Sequence, residues 1–281
     1  MATSTVNRIV TSAKRKYVLD NVDGCVFGKS LYLLTNKYKG YCLEVQRLSD
    51  SATLNVGFNF ALKNPYVDIS AIESFCVGTM GRVKTWYDQF GYPNATQSSF
   101  NNMPIICTNG VFEVKGIKFV NAESSRFNVE SYAAIDFTEP SFSTYQNIEH
   151  SSTLSIYVFG KTSTSVNIQY ATLGVKSTLY YSCLRLGNAT NIFQIEITTG
   201  ARHKILYCWN NKNVNGTTAN INGVSSAATK ADTLISREKL VIGARYDGSD
   251  TYATHFDGYM TSILLFNTSQ TNNYNLISGG C

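Results

Sequence analysis

The segment Trp86–Gln89, with the sequence Trp-Tyr-Asp-Gln, contains the residue types that fit ligand binding best. Alternation along an extended strand places Trp86 and Asp88 on one face and Tyr87 on the other. An indole can stack on a sugar ring while a carboxylate and an amide bind its hydroxyls. Trp86, Asp88 and Gln89 are therefore candidates for a ligand site. The structural interpretation, with Trp86 in the core and Asp88 capping the turn that follows, is the one that we favour.

Glycoside hydrolysis would require two carboxylates on opposite sides of a scissile bond. Four acidic residues in strand-like or turn-like segments are candidates: Asp88, Glu123, Glu130 and Glu196. In the segment 192–198, apolar residues alternate with Gln194 and Glu196, which predicts that Glu196 lies on a polar strand face. Because no second partner can be identified from spacing, we predict Glu196 as a ligand-binding residue and predict no catalytic residue.

Three aspartates near the end of the chain could gather around a cation. Asp247, Asp250 and Asp257 are close in sequence, and Ca²⁺ takes six or more oxygen ligands. The alternative is that the Asp247-Gly248 pair marks a turn. No other cofactor is predicted. The seven cysteines include no Cys-x-x-Cys pair, and the three histidines have no zinc-site spacing, so we predict reduced thiols.

The elements that must position these residues are short strands. Aromatic residues make up 12% of the chain against only four prolines, a composition that favours β structure. About a dozen short apolar or alternating runs are separated by Gly-rich and Asn-rich turns, which predicts an all-β, two-sheet sandwich or jelly roll. One short helix is predicted within 65–75, where Ile69, Ile72 and Phe75 share a face. A parallel βαβ fold is excluded, since no crossover helix is visible.

The N-terminal residues differ from the rest of the chain. Residues 1–40 carry seven Lys or Arg and two Asp, an excess equal to the net charge of +5 for the whole chain. An apolar stripe at helical spacing is flanked by three cations, and together they form the predicted docking residues: Val6, Ile9, Val10, Ala13, Lys14, Arg15, Lys16 and Tyr17. We predict a docking segment at 1–24, helical or extended, and a β-sandwich domain at 25–281. A disordered tail is the alternative.

Three groups of segments resemble a known fold family. The first group is similar to the opening of phage virion proteins and of the fungal α-L-arabinofuranosidase B catalytic domain, and the second is similar to a "TWYDQSG … NATQ" signature of the same proteins. The third is general to concanavalin A-like and laminin-G-like sandwiches. The segments are, in order, Leu31–Gly40, Leu43–Asp50 and Asn55–Phe58; Val83–Gly91 and Asn94–Gln97; Leu154–Lys161, Ala219–Gly223, Leu240–Gly243 and Phe256–Phe266.

This resemblance covers most of residues 25–270 and implies a concanavalin A-like jelly-roll sandwich whose concave sheet often binds glycans. We interpret the chain as a virion structural protein of a bacteriophage or similar virus, a capsid-attached or tail-attached surface component such as a head fibre or tail fibre, found in the virion and assembled in the host cytoplasm. We favour a non-enzymatic role, and an enzyme stays an alternative. The expected partners are other virion proteins, a second copy of the chain and a host glycan. Membrane insertion and nucleic-acid binding are not expected, because no long apolar run and no basic stripe occur. The alternatives are a free-standing lectin-like module and an arabinofuranosidase-type glycoside hydrolase.

Overall fold

The computed structural model describes residues 17–129, 141–150, 156–157, 170–176, 179–186, 190–191, 195–196, 200–210, 218–227, 240–248 and 251–281. Within these ranges nearly all regular structure is β-strand, and every strand pair runs antiparallel. The predicted all-β sandwich class is confirmed. No helix in the described ranges has the length and hydropathy needed to cross a membrane.

The strands of the first part of the chain are short and closely spaced. They are β1 (Cys25–Ser30), β2 (Leu43–Arg47), β3 (Thr53–Val56), β4 (Phe58–Asn59), β5 (Tyr66–Val67), β6 (Met80–Trp86), β7 (Ala95–Thr96), β8 (Ile105–Thr108), β9 (Val111–Phe112), β10 (Ile117–Phe119) and β11 (Phe127–Val129).

The second part of the chain contains the longest strands. They are β12 (Ser141–His150), β13 (Ile156–Tyr157), β14 (Tyr170–Lys176), β15 (Leu179–Leu186), β16 (Thr190–Asn191), β17 (Ile195–Glu196), β18 (Arg202–Asn210), β19 (Thr218–Ile221), β20 (Val224–Ala227), β21 (Leu240–Ile242), β22 (Ala244–Gly248), β23 (Thr251–His255) and β24 (Gly258–Phe266).

Most strands belong to one large antiparallel sheet, in the order β20-β19-β18-β12-β24-β10-β8-β6-β7-β11-β21. β1 also pairs with β24, β2 pairs with β3 and β6, and β9 pairs with β8. A five-stranded sheet contains β13 to β17, and two hairpins, β4–β5 and β22–β23, complete the described strands. The strands that carry Trp86 and Glu196 therefore belong to different sheets.

The main hydrophobic cluster follows from alternation within the strands. In β2, Leu43 and Val45 are buried while Glu44 is only partly buried, as a period of two requires. They pack in the same cluster as Val83 and Trp86 of the neighbouring β6. One face of this part of the large sheet thus forms the core, which leaves the other face for polar residues.

Two α-helices are described, α1 (Ile69–Phe75) and α2 (Tyr274–Gly280). Asp68 begins α1 by accepting a hydrogen bond from the backbone N–H of Ala71, and Ile72 is buried. The short helix predicted within 65–75 is therefore confirmed. α2 was not predicted, and it packs against a 3₁₀ turn, Val18–Asn21, close to the N-terminus.

Candidate functional site

Trp86 is the last residue of β6, and it is completely buried. Its indole packs against the ring of Phe127, with 6.2 Å between the ring centroids and 52° between the planes. Leu43 of β2 lies directly opposite Trp86 in the sheet. The indole thus belongs to the main hydrophobic cluster, and none of its surface is exposed to solvent.

The Asp88 carboxylate is buried and accepts four hydrogen bonds. Its Oδ1 accepts from the backbone N–H groups of Phe90 (2.7 Å) and Tyr92 (3.0 Å). Its Oδ2 accepts from the backbone N–H of Gly28 at 2.8 Å and from the Lys29 ammonium at 2.7 Å. Asp88 therefore caps the turn after β6 and also fastens that turn to β1.

Lys29 is the positive partner of this network, and both side chains of the pair are 0% exposed. The Lys29 Nζ also donates to the Pro93 carbonyl at 2.9 Å and lies 4.0 Å from the centre of the Phe27 ring. Burial lowers the pKa of Lys29 to about 8, although the charge of Asp88 acts in the opposite direction. Sequence reasoning missed Lys29, and the signal for it was a lysine inside the otherwise uncharged segment Cys25–Ser30.

Both the oxygen and the nitrogen of the Gln89 side-chain amide bind backbone groups at the end of β1 and just after it. Its Oε1 accepts from the backbone N–H of Leu34 at 2.9 Å, and its Nε2 donates to the carbonyls of Ser30 (3.2 Å) and Tyr32 (2.8 Å). The side chains of Trp86, Asp88 and Gln89 are therefore all buried: the indole packs on Phe127, and the carboxylate and the amide are hydrogen-bonded to protein groups. This geometry favours the structural interpretation of the segment, while a ligand-binding role for these three residues stays a prediction.

An open cleft of about 680 Å³ lies beside this network and reaches Gln89 and Phe90. Its other walls come from residues 19–25 and from the loop 35–40. The charged residues at its rim are balanced: Asp20 and Asp23 from the first segment, Lys37 and Lys39 from the loop. This cleft, rather than the buried motif, is the accessible concavity next to the Trp-Tyr-Asp-Gln segment.

The remaining predicted ligand residues do not form one cluster in the described part of the chain. Glu196 lies on β17, opposite Tyr181 of β15. Asp247 lies on β22, Asp250 lies outside the described residues, and the Asp257 carboxylate accepts from the backbone N–H of Asn121 at 3.5 Å. Among the described residues no group of three His, Cys, Asp or Glu side chains could hold a metal ion, and calcium binding stays a prediction.

The predicted docking residues lie outside the described residues except for Tyr17, which packs against the main core cluster. The residues just after it also belong to the domain, because Leu19 and Val22 are buried in a second hydrophobic cluster with Tyr274 and Ile277 of α2. Packing of the sandwich therefore begins before residue 25, and the division of the chain at residue 24 stays a prediction.

One family model matches part of this chain, and several solved structures have a similar fold. A model of the family "Alpha-L-arabinofuranosidase B, catalytic" matches residues 24–109. This range contains β1, β6 and the whole Asp88 network. No curated protein matches the sequence.

The similar solved structures include arabinofuranosidases. One is complexed with arabinofuranosyl-α-1,2-xylobiose, at a TM-score of 0.66. Another is a glutamate-to-glutamine mutant of a GH54 α-L-arabinofuranosidase soaked with 4-nitrophenyl α-L-arabinofuranoside, at a TM-score of 0.68. In each case the identity is 13%, and the match covers 94% of this chain and 63% of the other. The likeness shows a shared sandwich fold, and this chain spans less than two thirds of the enzymes' length.

These findings correct the interpretation as a virion protein. The family whose model matches residues 24–109 and the enzymes with a similar sandwich fold are arabinofuranosidases, which sequence analysis had named only as an alternative. The virion interpretation had relied on segments shared by phage proteins and the enzyme domain. Because those segments build the interior, as the Asp88 network shows, they are constrained by the fold and do not distinguish the two kinds of protein.

Proposed function

We propose that this chain is a glycoside hydrolase domain of the α-L-arabinofuranosidase type, which removes arabinofuranosyl groups from a glycan. The observation that carries the proposal is the family match over residues 24–109. It is supported by the fold likeness over 94% of the chain to an arabinofuranosidase that holds an arabinofuranosyl oligosaccharide.

Hydrolysis of a glycosidic bond requires a pair of carboxylates that can reach the sugar, and we look for one of them among the four candidates. Two of the four candidates are held by cations: Asp88 by the buried Lys29, and Glu123 by Arg82 at 2.8 Å. A third candidate, Glu130, lies outside the described residues. Alternation in the sequence of segment 192–198 predicts that Glu196 lies on a polar strand face, and on this basis we propose Glu196 as a reacting carboxylate.

The purified chain is to be tested with 4-nitrophenyl α-L-arabinofuranoside by following the release of 4-nitrophenol. We expect turnover by the parent and a rate about 10²–10⁴-fold lower for Glu196→Gln, because removing a general acid or base has effects of this size. Asp50→Asn is the matched control, since Asp50 is a surface carboxylate paired with Arg47 and should leave the rate unchanged.

Two results would contradict the proposal in different ways. Equal rates for the parent and Glu196→Gln would show that Glu196 takes no part in the reaction, although the chain would still be a hydrolase. Binding of arabinoxylan without any turnover would instead show the lectin-like module that sequence analysis gave as an alternative.

A further inference from the structure

The outer face of β2, β3 and β6 carries polar and aromatic side chains that the Asp88 network does not use. Glu44 of β2 lies opposite Asn55 of β3 and opposite Thr85 of β6. Because Leu43 and Val45 point into the core, Glu44 lies on the other side of the sheet. The row therefore faces away from the main hydrophobic cluster.

A β-bulge shapes this row. Glu44 pairs with Thr85 while the next residue, Val45, pairs with Val83, so β6 contains one extra residue, Lys84. As a result, both Lys84 and Thr85 reach the same carboxylate. The Lys84 Nζ donates to Glu44 Oε1 at 2.9 Å, and the Thr85 hydroxyl donates to Glu44 Oε2 at 2.8 Å.

Two tyrosines stand beside this ion pair. The rings of Tyr41 and Tyr87 lie 6.2 Å apart at an angle of 47°, and Tyr41 is 52% exposed. The Tyr87 hydroxyl donates to the Asn55 side-chain oxygen at 2.7 Å. Burial raises the pKa of Tyr87, and the nearby charge of Glu44 raises it further. We call the set Tyr41, Tyr87, Asn55, Glu44 and Lys84 the tyrosine face.

We propose that the tyrosine face is a binding surface for an uncharged glycan chain. A tyrosine ring offers an apolar face for the C–H side of a sugar, and its edge carries a polar group. The exposed amide of Asn55 and the Glu44–Lys84 pair can exchange hydrogen bonds with hydroxyls. The two opposite charges cancel, so the surface has no net charge with which to select an ionic ligand.

The shape and place of the tyrosine face indicate an accessory role. It is an open strip across three neighbouring strands. Such a strip suits a chain of several sugar units better than one monosaccharide, which binds in an enclosed pocket. It belongs to the large sheet, whereas Glu196 belongs to the five-stranded sheet. The tyrosine face would therefore hold a polymer while another site acts on it. The inference rests on the proposed function only for the choice of arabinoxylan as the probe.

The test is retardation of the chain in native gels that contain arabinoxylan. All gel variants carry Glu196→Gln so that the polymer is not consumed. We expect Tyr41→Ala to bind about tenfold more weakly than this parent, the size of one lost aromatic stacking contact. Leu48→Ala is the matched control, because it removes another exposed apolar side chain, 56% exposed, at the far end of β2.

The same Tyr41→Ala change in the chain with Glu196 intact should leave turnover of 4-nitrophenyl α-L-arabinofuranoside unchanged. The inference is overturned if arabinoxylan retards Tyr41→Ala as much as the parent, or if it does not retard the parent at all. This holds whether or not the chain has hydrolase activity. Retardation that depends on Tyr41 in a chain without turnover upholds the tyrosine face and rejects the proposed hydrolase. The two failures are thus separable.

Discussion

At the scale of single residues, the pair Lys29–Asp88 determines the role of the Trp-Tyr-Asp-Gln segment. A carboxylate and an ammonium that are both 0% exposed have given up their hydration, which costs several kcal/mol per ion. The four hydrogen bonds to Asp88 offset much of that cost and connect β1 to the turn after β6. The pair therefore fixes the relative position of two segments that are about sixty residues apart.

Replacing Asp88 by alanine should destabilise the domain strongly. The change leaves the Lys29 ammonium buried without its partner and removes the acceptor of two backbone N–H groups in the turn, so we expect the free energy of unfolding to fall by about 3–5 kcal/mol. Asp50→Ala is the control, because Asp50 pairs with Arg47 at the surface, and its stability should stay close to that of the parent. Denaturant titration measures both, and similar stabilities for the two variants would contradict the structural role of Asp88.

At the scale of elements, the short segment Val18–Asn21 is joined to the domain at several points. The backbone N–H of Leu19 donates to the Leu34 carbonyl at 3.0 Å, and Asp20 accepts from the Thr35 hydroxyl at 2.9 Å. Leu19 is buried in one cluster with Ile277 of α2. This segment and α2, from the two ends of the described chain, thus pack in the same cluster as Tyr145 of β12 and Leu264 of β24.

Two truncations should therefore behave differently. Removing residues 2–16 should leave the unfolding midpoint unchanged, because Leu19 and Val22 keep the hydrophobic cluster that they share with Tyr274 and Ile277. Removing residues 2–23 should cost about 3–6 kcal/mol, from about 1.5–3 for each of these two buried side chains. Thermal unfolding followed by circular dichroism distinguishes them. Equal midpoints would show that the contacts with α2 do not stabilise the domain.

At the scale of the whole molecule, the interior contains ionisable groups in several strands of the large sheet and in a hairpin. His150 ends β12 and His255 ends β23, and both are buried. Desolvation lowers the pKa of each, with further lowering from His203 for the first and from Arg126 for the second. These histidines are therefore neutral in the folded state over a pH range in which free histidine accepts a proton.

Acid should weaken the fold before the carboxylates titrate. Between about pH 6.5 and 5 the unfolded chain binds protons at these histidines that the folded chain does not, so the free energy of unfolding should fall as the pH is lowered. In His255→Gln the free energy of unfolding should decrease less steeply with falling pH than in the parent, because one of the titrating groups is gone. Denaturant titrations at several pH values across this range give the slopes. Identical slopes in both proteins would exclude His255 as a source of the acid sensitivity.

The class of fold, the short helix at Ile69–Phe75 and the two alternatives for Trp86 and Asp88 could be predicted from the amino-acid sequence. These features depend on local information: a period of two in strands, a period of 3.6 in the helix, and an aspartate before a turn. The same local information could not find α2, because seven residues that end in two glycines show no helical period long enough to recognise.

Only the tertiary structure decided which residues meet. Lys29 reaches Asp88 across 59 residues of chain, and Tyr41 meets Tyr87 because β2 pairs with a β6 that carries a bulge at Lys84. Alternation predicts that a side chain lies on one face of its strand, but it does not state which strand lies beside it. Strand order is settled by the joint burial of many distant apolar residues, so the partners of Asp88 and the members of the tyrosine face became visible only in the folded chain.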